Sequence, residues 1–237
     1  MEPAGPVLPT SDSASRLRAV DFVSLVAIVA VVEWAGRAEM ERLGVTNAFS
    51  VKAVKGVMVI RAAQLAAVLA PLSLIRRIPP SALGLRLGDW RRGLAWSAAV
   101  SAILLGGFGG AALGACLWDR TNLAAFAFGA SPLAAADSWR ARAALVTAMV
   151  FVGPVAEEVF FRGILYQWLR RGFSPLEANL PSALFFAAFH PVDFPLVQFV
   201  GGVAFALLYE KTGALFAPVL VHAAGNLAIL LLPLCLS

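Results

Sequence analysis

The sequence predicts an all-α, polytopic transmembrane helix bundle of about seven or eight spans. Three observations carry that prediction. The 237 residues are 60% hydrophobic and only 14% charged, against roughly 25% charged in soluble domains. Mean hydropathy is +0.81, and no polar stretch is long enough to fold as a soluble domain of its own. Finally, the arginines fall in short segments between apolar runs, the pattern of helices oriented against a membrane.

Residues 1–18 are rich in Pro, Ser and Ala without an apolar core and are expected to be a disordered polar lead-in. The run Phe22 to Trp34 resembles a signal-peptide core in length, but its exit, Gly36-Arg37-Ala38-Glu39, is charged and carries no small-residue cleavage pattern, so it counts as the first span. Further spans are expected at Gly56 to Ile75, Leu94 to Leu117, Ala143 to Leu169, Ala178 to His190, Leu196 to Tyr209 and Ala214 to Leu234, with a short additional helix near residues 121–136. Several are shorter than the ~20 residues a perpendicular helix needs. In domain terms, residues 19–142 form an N-terminal set of transmembrane helices, with an interfacial segment at 80–93 where Leu alternates with Arg around Trp90, and residues 143–237 form a C-terminal helical core.

Charge placement gives an orientation. Arg16 and Arg18, then Arg76, Arg77, Arg86, Arg91 and Arg92, then Arg170 and Arg171 lie on one side if the spans alternate, and that side is expected to be cytoplasmic. The net charge of +5 is explained by this topology better than by nucleic-acid binding. Cys116 and Cys235 lie far apart in apolar runs, which excludes a disulfide framework or a CxxC pair; both read as buried small hydrophobes. Only Lys52, Lys55 and Lys211 are lysines among many arginines and alanines, a composition that points to a bacterial inner (cytoplasmic) membrane.

Against this apolar background, Glu157, His190, His222 and Asn226 stand inside hydrophobic helices. Ionisable side chains at such depth cost several kcal/mol unless they face a protein interior or wet cavity, so they mark a functional site. At ~1.5 Å per residue, Glu157 lies roughly 20 Å from the Arg170 end, His190 about 18 Å from Ala178 and His222 about 13 Å from Gly213. All three are counted from the same face. Within AEEVFFRGILYQWLRR, Glu158 and Arg162 are i,i+4, the spacing of an ion pair on one helix face, while Glu157 is turned by about 100° and has no cation on its own helix. In LFFAAFHP, Phe186 and His190 share a face, and Pro191 ends the helix beside the imidazole. In APVLVHAAGNLAILLL, His222 and Asn226 are i,i+4 across small residues that allow close helix approach. Each segment alone could be interhelical hydrogen-bond glue, or a cap in the case of His190.

The ordered set Glu157-Glu158-x-x-x-Arg162, Phe186-x-x-x-His190 and His222-x-x-x-Asn226 resembles the three signature motifs of the CPBP family, the CAAX prenyl proteases and bacteriocin-processing or Abi proteins. The resemblance covers roughly Ala143 to Leu232. It implies a glutamate-dependent intramembrane endopeptidase in which Glu157 and His190 activate water, His222 and Asn226 stabilise the oxyanion, and Glu158 and Arg162 support the site. The chemistry is compatible: two cysteines outside the motifs and two histidines already placed leave no Ser-His-Asp or Cys-His set. No cofactor is expected, and the expected partners are the lipid bilayer and a membrane-anchored peptide or protein. The alternatives are a zinc-dependent membrane protease, which an absent HExxH pair disfavours, and a non-catalytic protein, either a proton-coupled transporter or a bacteriocin self-immunity factor. Internal repeats expected of a transporter are not found.

Overall fold

The computed structural model describes residues 18–45, 50–118, 132–190 and 195–236, and among these every regular element is helical. The long elements are α1 (Ala19–Arg42), α2 (Val51–Leu74), α3 (Trp90–Trp118), α4 (Trp139–Leu169), α5 (Pro175–Ala188), α6 (Leu196–Thr212) and α7 (Phe216–Leu236). Two single turns, Pro80–Leu83 and Pro132–Ala135, fall between them. Each apolar run expected to span thus falls on a helix. Four of them, α1, α2, the stretch Trp90–Ala111 of α3, and α4, are long and apolar enough to cross a bilayer by themselves. With 14 and 17 residues, α5 and α6 fall short of that length. The additional helix expected near residues 121–136 is represented by Pro132–Ala135; the rest of that stretch, the N-terminal lead-in, Pro191 and the side chains of Cys116 and Cys235 lie outside the described residues.

Local sequence sets the helix boundaries. Ser50, Ser138 and Ser174 each accept a backbone N–H at the start of α2, α4 and α5 through the hydroxyl. At α5, Glu177 reaches back to the Ser174 N–H and Pro175 occupies the first helical position. Gly213, with φ of 62°, ends α6 in the left-handed conformation.

The core of the bundle is α4 packed among α2, α5, α6 and α7. Glu158, Val159, Arg162, Ile164 and Tyr166 are all fully buried. Helices α5 and α6 come together where a Cβ on Gly202 would stand 3.1 Å from Ala183 Cα and Cβ, so a larger residue there would crowd this contact. Helix α1 is held against the bundle from one side. Phe22 stacks on Trp168 with ring centroids 4.8 Å apart, Asp21 pairs with Arg76, and Leu25 sits in the core cluster with Leu165. Its outer face, with Val20, Val23, Val31 and Trp34, is exposed, as expected where lipid tails are the solvent.

The segment at 80–93 divides in two. Ala82 and Leu83 are buried, Gly84 O accepts from Leu215 N, and Arg86 Nε donates to Gly213 O, so the first half clips the bundle to the α6–α7 turn. Leu87, Trp90 and Leu94 face outward, as an interfacial segment would.

Candidate active site

Helix α4 is regular only in part. Wide π turns over Thr147–Val152 and Phe161–Tyr166 flank the α-helical stretch Gly153–Phe160, which holds Glu157 and Glu158. Such turns recur at functional sites because each redirects the helix face and frees backbone groups. Here one effect is traceable. Gly153 N donates to Ala148 O, and Pro154 has no N–H, so Met149 O is left without a helical donor. Asn226 of α7 fills that gap, its Nδ2 donating to Met149 O at 2.7 Å.

Glu158 and Arg162 pair as expected from their spacing, with Arg162 Nη1 donating to Glu158 Oε1 at 2.9 Å and both side chains fully buried. Arg162 Nη2 also donates to Gly202 O at 2.9 Å, and its guanidinium lies over the rings of Phe186 and Phe205, at 4.7 and 5.1 Å. A charge pair this deep is tolerable only because the hydrogen bonds and ring faces replace water. His222 Nδ1 joins it, 2.9 Å from the same Glu158 oxygen. Glu158 thus links α4 to α7.

Glu157 lies on the neighbouring face. Its Oε2 is shielded from solvent and makes no hydrogen bond among the described residues. It lies 3.8 Å from His190 Nε2 and 3.7 Å from His222 Nε2, beyond direct hydrogen-bond reach but within the span of one bridging water. Both rings are oriented from their far side. His190 Nδ1 is 2.7 Å from Phe186 O, and a carbonyl can only accept, so Nδ1 carries the proton. In the neutral ring the Nε2 facing Glu157 is therefore a lone-pair acceptor. His222 Nδ1 likewise donates to the Glu158 carboxylate. Phe186 wedges between the two imidazoles, with centroids 4.6 Å from His190 and 5.5 Å from His222, and Phe205 stacks flat on His222 at 4.8 Å. A cavity of about 400 Å³ opens onto these groups and is lined by Glu157, His190, His222 and Asn226 together with apolar residues of α2, α3, α6 and α7. A second cavity, of about 570 Å³, reaches Glu157 and His190 from the side of α1 and α2. Among the described residues no group of three or more His, Cys, Asp and Glu is spaced to hold a metal ion.

Residues 138–228 match the model of a family described as Rce1-like, type II CAAX prenyl endopeptidase. Over those residues the chain is similar to that family. The matched stretch runs from the cap of α4 into α7 and takes in Glu157, Glu158, Arg162, Phe186, His190, His222 and Asn226. It agrees with the CPBP and CAAX protease resemblance of the motifs. Comparison with curated proteins and with solved structures found no match. The matched stretch takes in the polar residues of α4, α5 and α7 but none on α1 and α2. Motif reading missed Glu33, Arg61 and Gln64, which line the second cavity, and it missed Phe205 and the Met149 carbonyl. Glu33 and Arg61 carried a signal, being charges inside apolar runs; Met149 O carried only the indirect one of Pro154.

Proposed function

We propose that this integral membrane protein is a CAAX-type intramembrane endopeptidase, hydrolysing a peptide bond of a membrane-associated protein or peptide with water activated by Glu157 and His190. The observation that carries this reading is the Glu157 Oε2, buried, without a hydrogen-bond partner among the described residues, and facing two oriented imidazoles at a cavity wall. The match to a family named for prenyl endopeptidase activity supports it.

In this mechanism one water hydrogen-bonds Glu157 Oε2 and His190 Nε2. Glu157 takes a proton as the water oxygen attacks the scissile carbonyl carbon, and the carbonyl π electrons move onto oxygen. The free N–H of the Asn226 amide faces that oxyanion, as does Nε2–H of His222 when its ring is doubly protonated and Nδ1 remains on Glu158. Collapse re-forms the carbonyl and breaks the C–N bond, and the proton held by Glu157 passes to the leaving nitrogen. The products are a carboxylic acid and an amine, and Glu157 returns to its starting form. Glu158 and Arg162 position His222 and do not touch the reacting atoms.

The substrate is a membrane-anchored peptide or protein, and the matched family's description, a CAAX prenyl endopeptidase, supports a prenylated one. Glu157→Gln and His190→Ala should each lower cleavage by roughly a hundredfold to ten-thousandfold while the protein still inserts and purifies. Comparing the membrane peptidome of cells carrying the parent protein with that of cells carrying Glu157→Gln identifies the substrate. Retained turnover in either variant removes the assignment. Chelator treatment should leave cleavage intact; loss reversed by added zinc would replace this mechanism with a metal-dependent one.

A further inference from the structure

A polar cluster outside the matched stretch lies within α1 and α2. Arg61 Nη1 donates to Glu33 Oε2 at 2.8 Å and to Gln64 Oε1 at 2.6 Å, and Gln64 Nε2 donates to Glu33 and to Val29 O. Arg37 Nε holds the other Glu33 oxygen at 2.7 Å. One carboxylate therefore stands between two guanidiniums, so the trio of Glu33, Arg37 and Arg61 carries one positive charge in excess. Arg61 Nε and Nη2 make no hydrogen bond among the described residues.

The cluster is level with Glu157. Phe22 of α1 stacks on Trp168 of α4, and Glu33 and Glu157 each lie eleven residues beyond that stack, about 16 Å at the helical rise. Arg61 lines both cavities that reach Glu157 and His190, the one bounded by α3 and α7 and the one bounded by α1 and α2. Close contact at Gly36, where a Cβ would stand 2.3 Å from the Ile60 side chain, brings α1 near enough for Glu33 to hold Arg61. An ionisable cluster at this depth is costly unless it serves a site, and a guanidinium with its fork open to a cavity matches a carboxylate bidentately.

We propose that Arg61, held by Glu33 and Gln64, is a substrate-binding residue that captures a carboxylate of the peptide substrate, foremost its free C-terminus. The inference rests on the peptidase reading for its biological sense, but binding can be measured without turnover.

The test uses the full-length Glu157→Gln protein in detergent. The probe is a fluorescent farnesylated peptide ending in cysteine, two aliphatic residues and methionine, made with a free C-terminal carboxylate or a C-terminal amide. The acid should bind roughly tenfold to a hundredfold more tightly than the amide, the range of a charge-assisted hydrogen bond. Adding Arg61→Gln should bring the ratio close to one, whereas adding Glu33→Gln, which removes the competing carboxylate, should keep or widen it. A merely structural ion pair would make both substitutions act alike. An amidated peptide with glutamate in last place separates the sources: restored affinity assigns a side-chain carboxylate, and no restoration assigns the terminus. Equal binding of acid and amide by the parent protein, or an unchanged ratio in Arg61→Gln, overturns the proposal. Should Arg61→Gln fail to purify, the parent ratio and Glu33→Gln decide. Discrimination in binding without cleavage by the protein carrying Glu157 would overturn the peptidase reading alone, and equal cleavage of acid and amide would overturn the carboxylate site alone.

Discussion

Adjacent glutamates on one helix end in opposite circumstances. Glu158 is fully buried, bonded to Arg162 and His222, and its neighbour Glu157 faces a cavity with Oε2 unbonded among the described residues. The turn of about 100° between successive residues makes that division readable from the sequence, as is the Glu158–Arg162 pair from its spacing. The contact of His222 with Glu158 was not readable, because nothing local relates residues 64 positions apart. That contact changes what Glu158→Gln should do. Removing the charge leaves Arg162 buried and unpaired, a loss of about 3–5 kcal/mol, and the surviving folded protein should also turn over more slowly, because the His222 ring loses its anchor. Folded yield in detergent and specific activity of the purified fraction measure the two effects separately; full activity in the survivors would show that His222 needs no such anchor. For Asn226→Ala, which removes both the donor to Met149 O and the free amide N–H, turnover should fall roughly a hundredfold to a thousandfold with substrate affinity little changed.

At the scale of the element, α5 has a task set by its two ends. The capping box at Ser174 and Glu177 fixes where it starts, and His190 follows directly after its last turn, with His190 N donating to Ala187 O. Hydrogen bonds from the Ser174 hydroxyl and N–H hold the Glu177 carboxyl below its ordinary value of 4.5. A depressed carboxylate stabilises the fold above the ordinary pKa and loses that contribution as pH falls through the folded value. Melting temperature should therefore decline on acidification below about pH 4.5, less steeply in Glu177→Gln; an identical decline in both would show that the box contributes nothing. Ser174→Ala should cost about 1 kcal/mol, read in the same melts. The cap was visible as Ser-Pro-Leu-Glu ahead of an apolar run. The π turns of α4 were not, since their wide bonds depend on how α7 and α5 pack against it, and only Pro154 hinted at the first. Gly36→Val should separate α1 from α2, detected as weaker cross-linking between cysteines placed at 33 and 61, because the Cβ would meet the Ile60 side chain.

For the whole molecule, the Asp21–Arg76 pair and the Phe22–Trp168 stack bring the start of α1, the end of α2 and the end of α4 to one face, which the arginine distribution leads us to expect on the cytoplasmic side. In a background with Cys116 and Cys235 replaced by alanine, an impermeant thiol reagent should label Gly172→Cys only from the cytoplasmic side and Lys52→Cys only from the opposite side. Labelling of both from one side would discard the topology. The sequence by itself determined the all-helical membrane class, because apolar runs and arginine placement answer to the bilayer, a solvent that acts on each segment separately. It also set the depth of Glu157, His190 and His222, since the helical rise converts residue number into height. Only the tertiary structure decided which atoms meet: that the imidazoles turn Nε2 toward Glu157, that Asn226 serves Met149 O, and that Arg61 from α2 shares the cavities of the core. Rotation about each helix axis and the choice of neighbours are fixed by side-chain packing between segments distant in the chain, and periodicity within one segment carries no record of them.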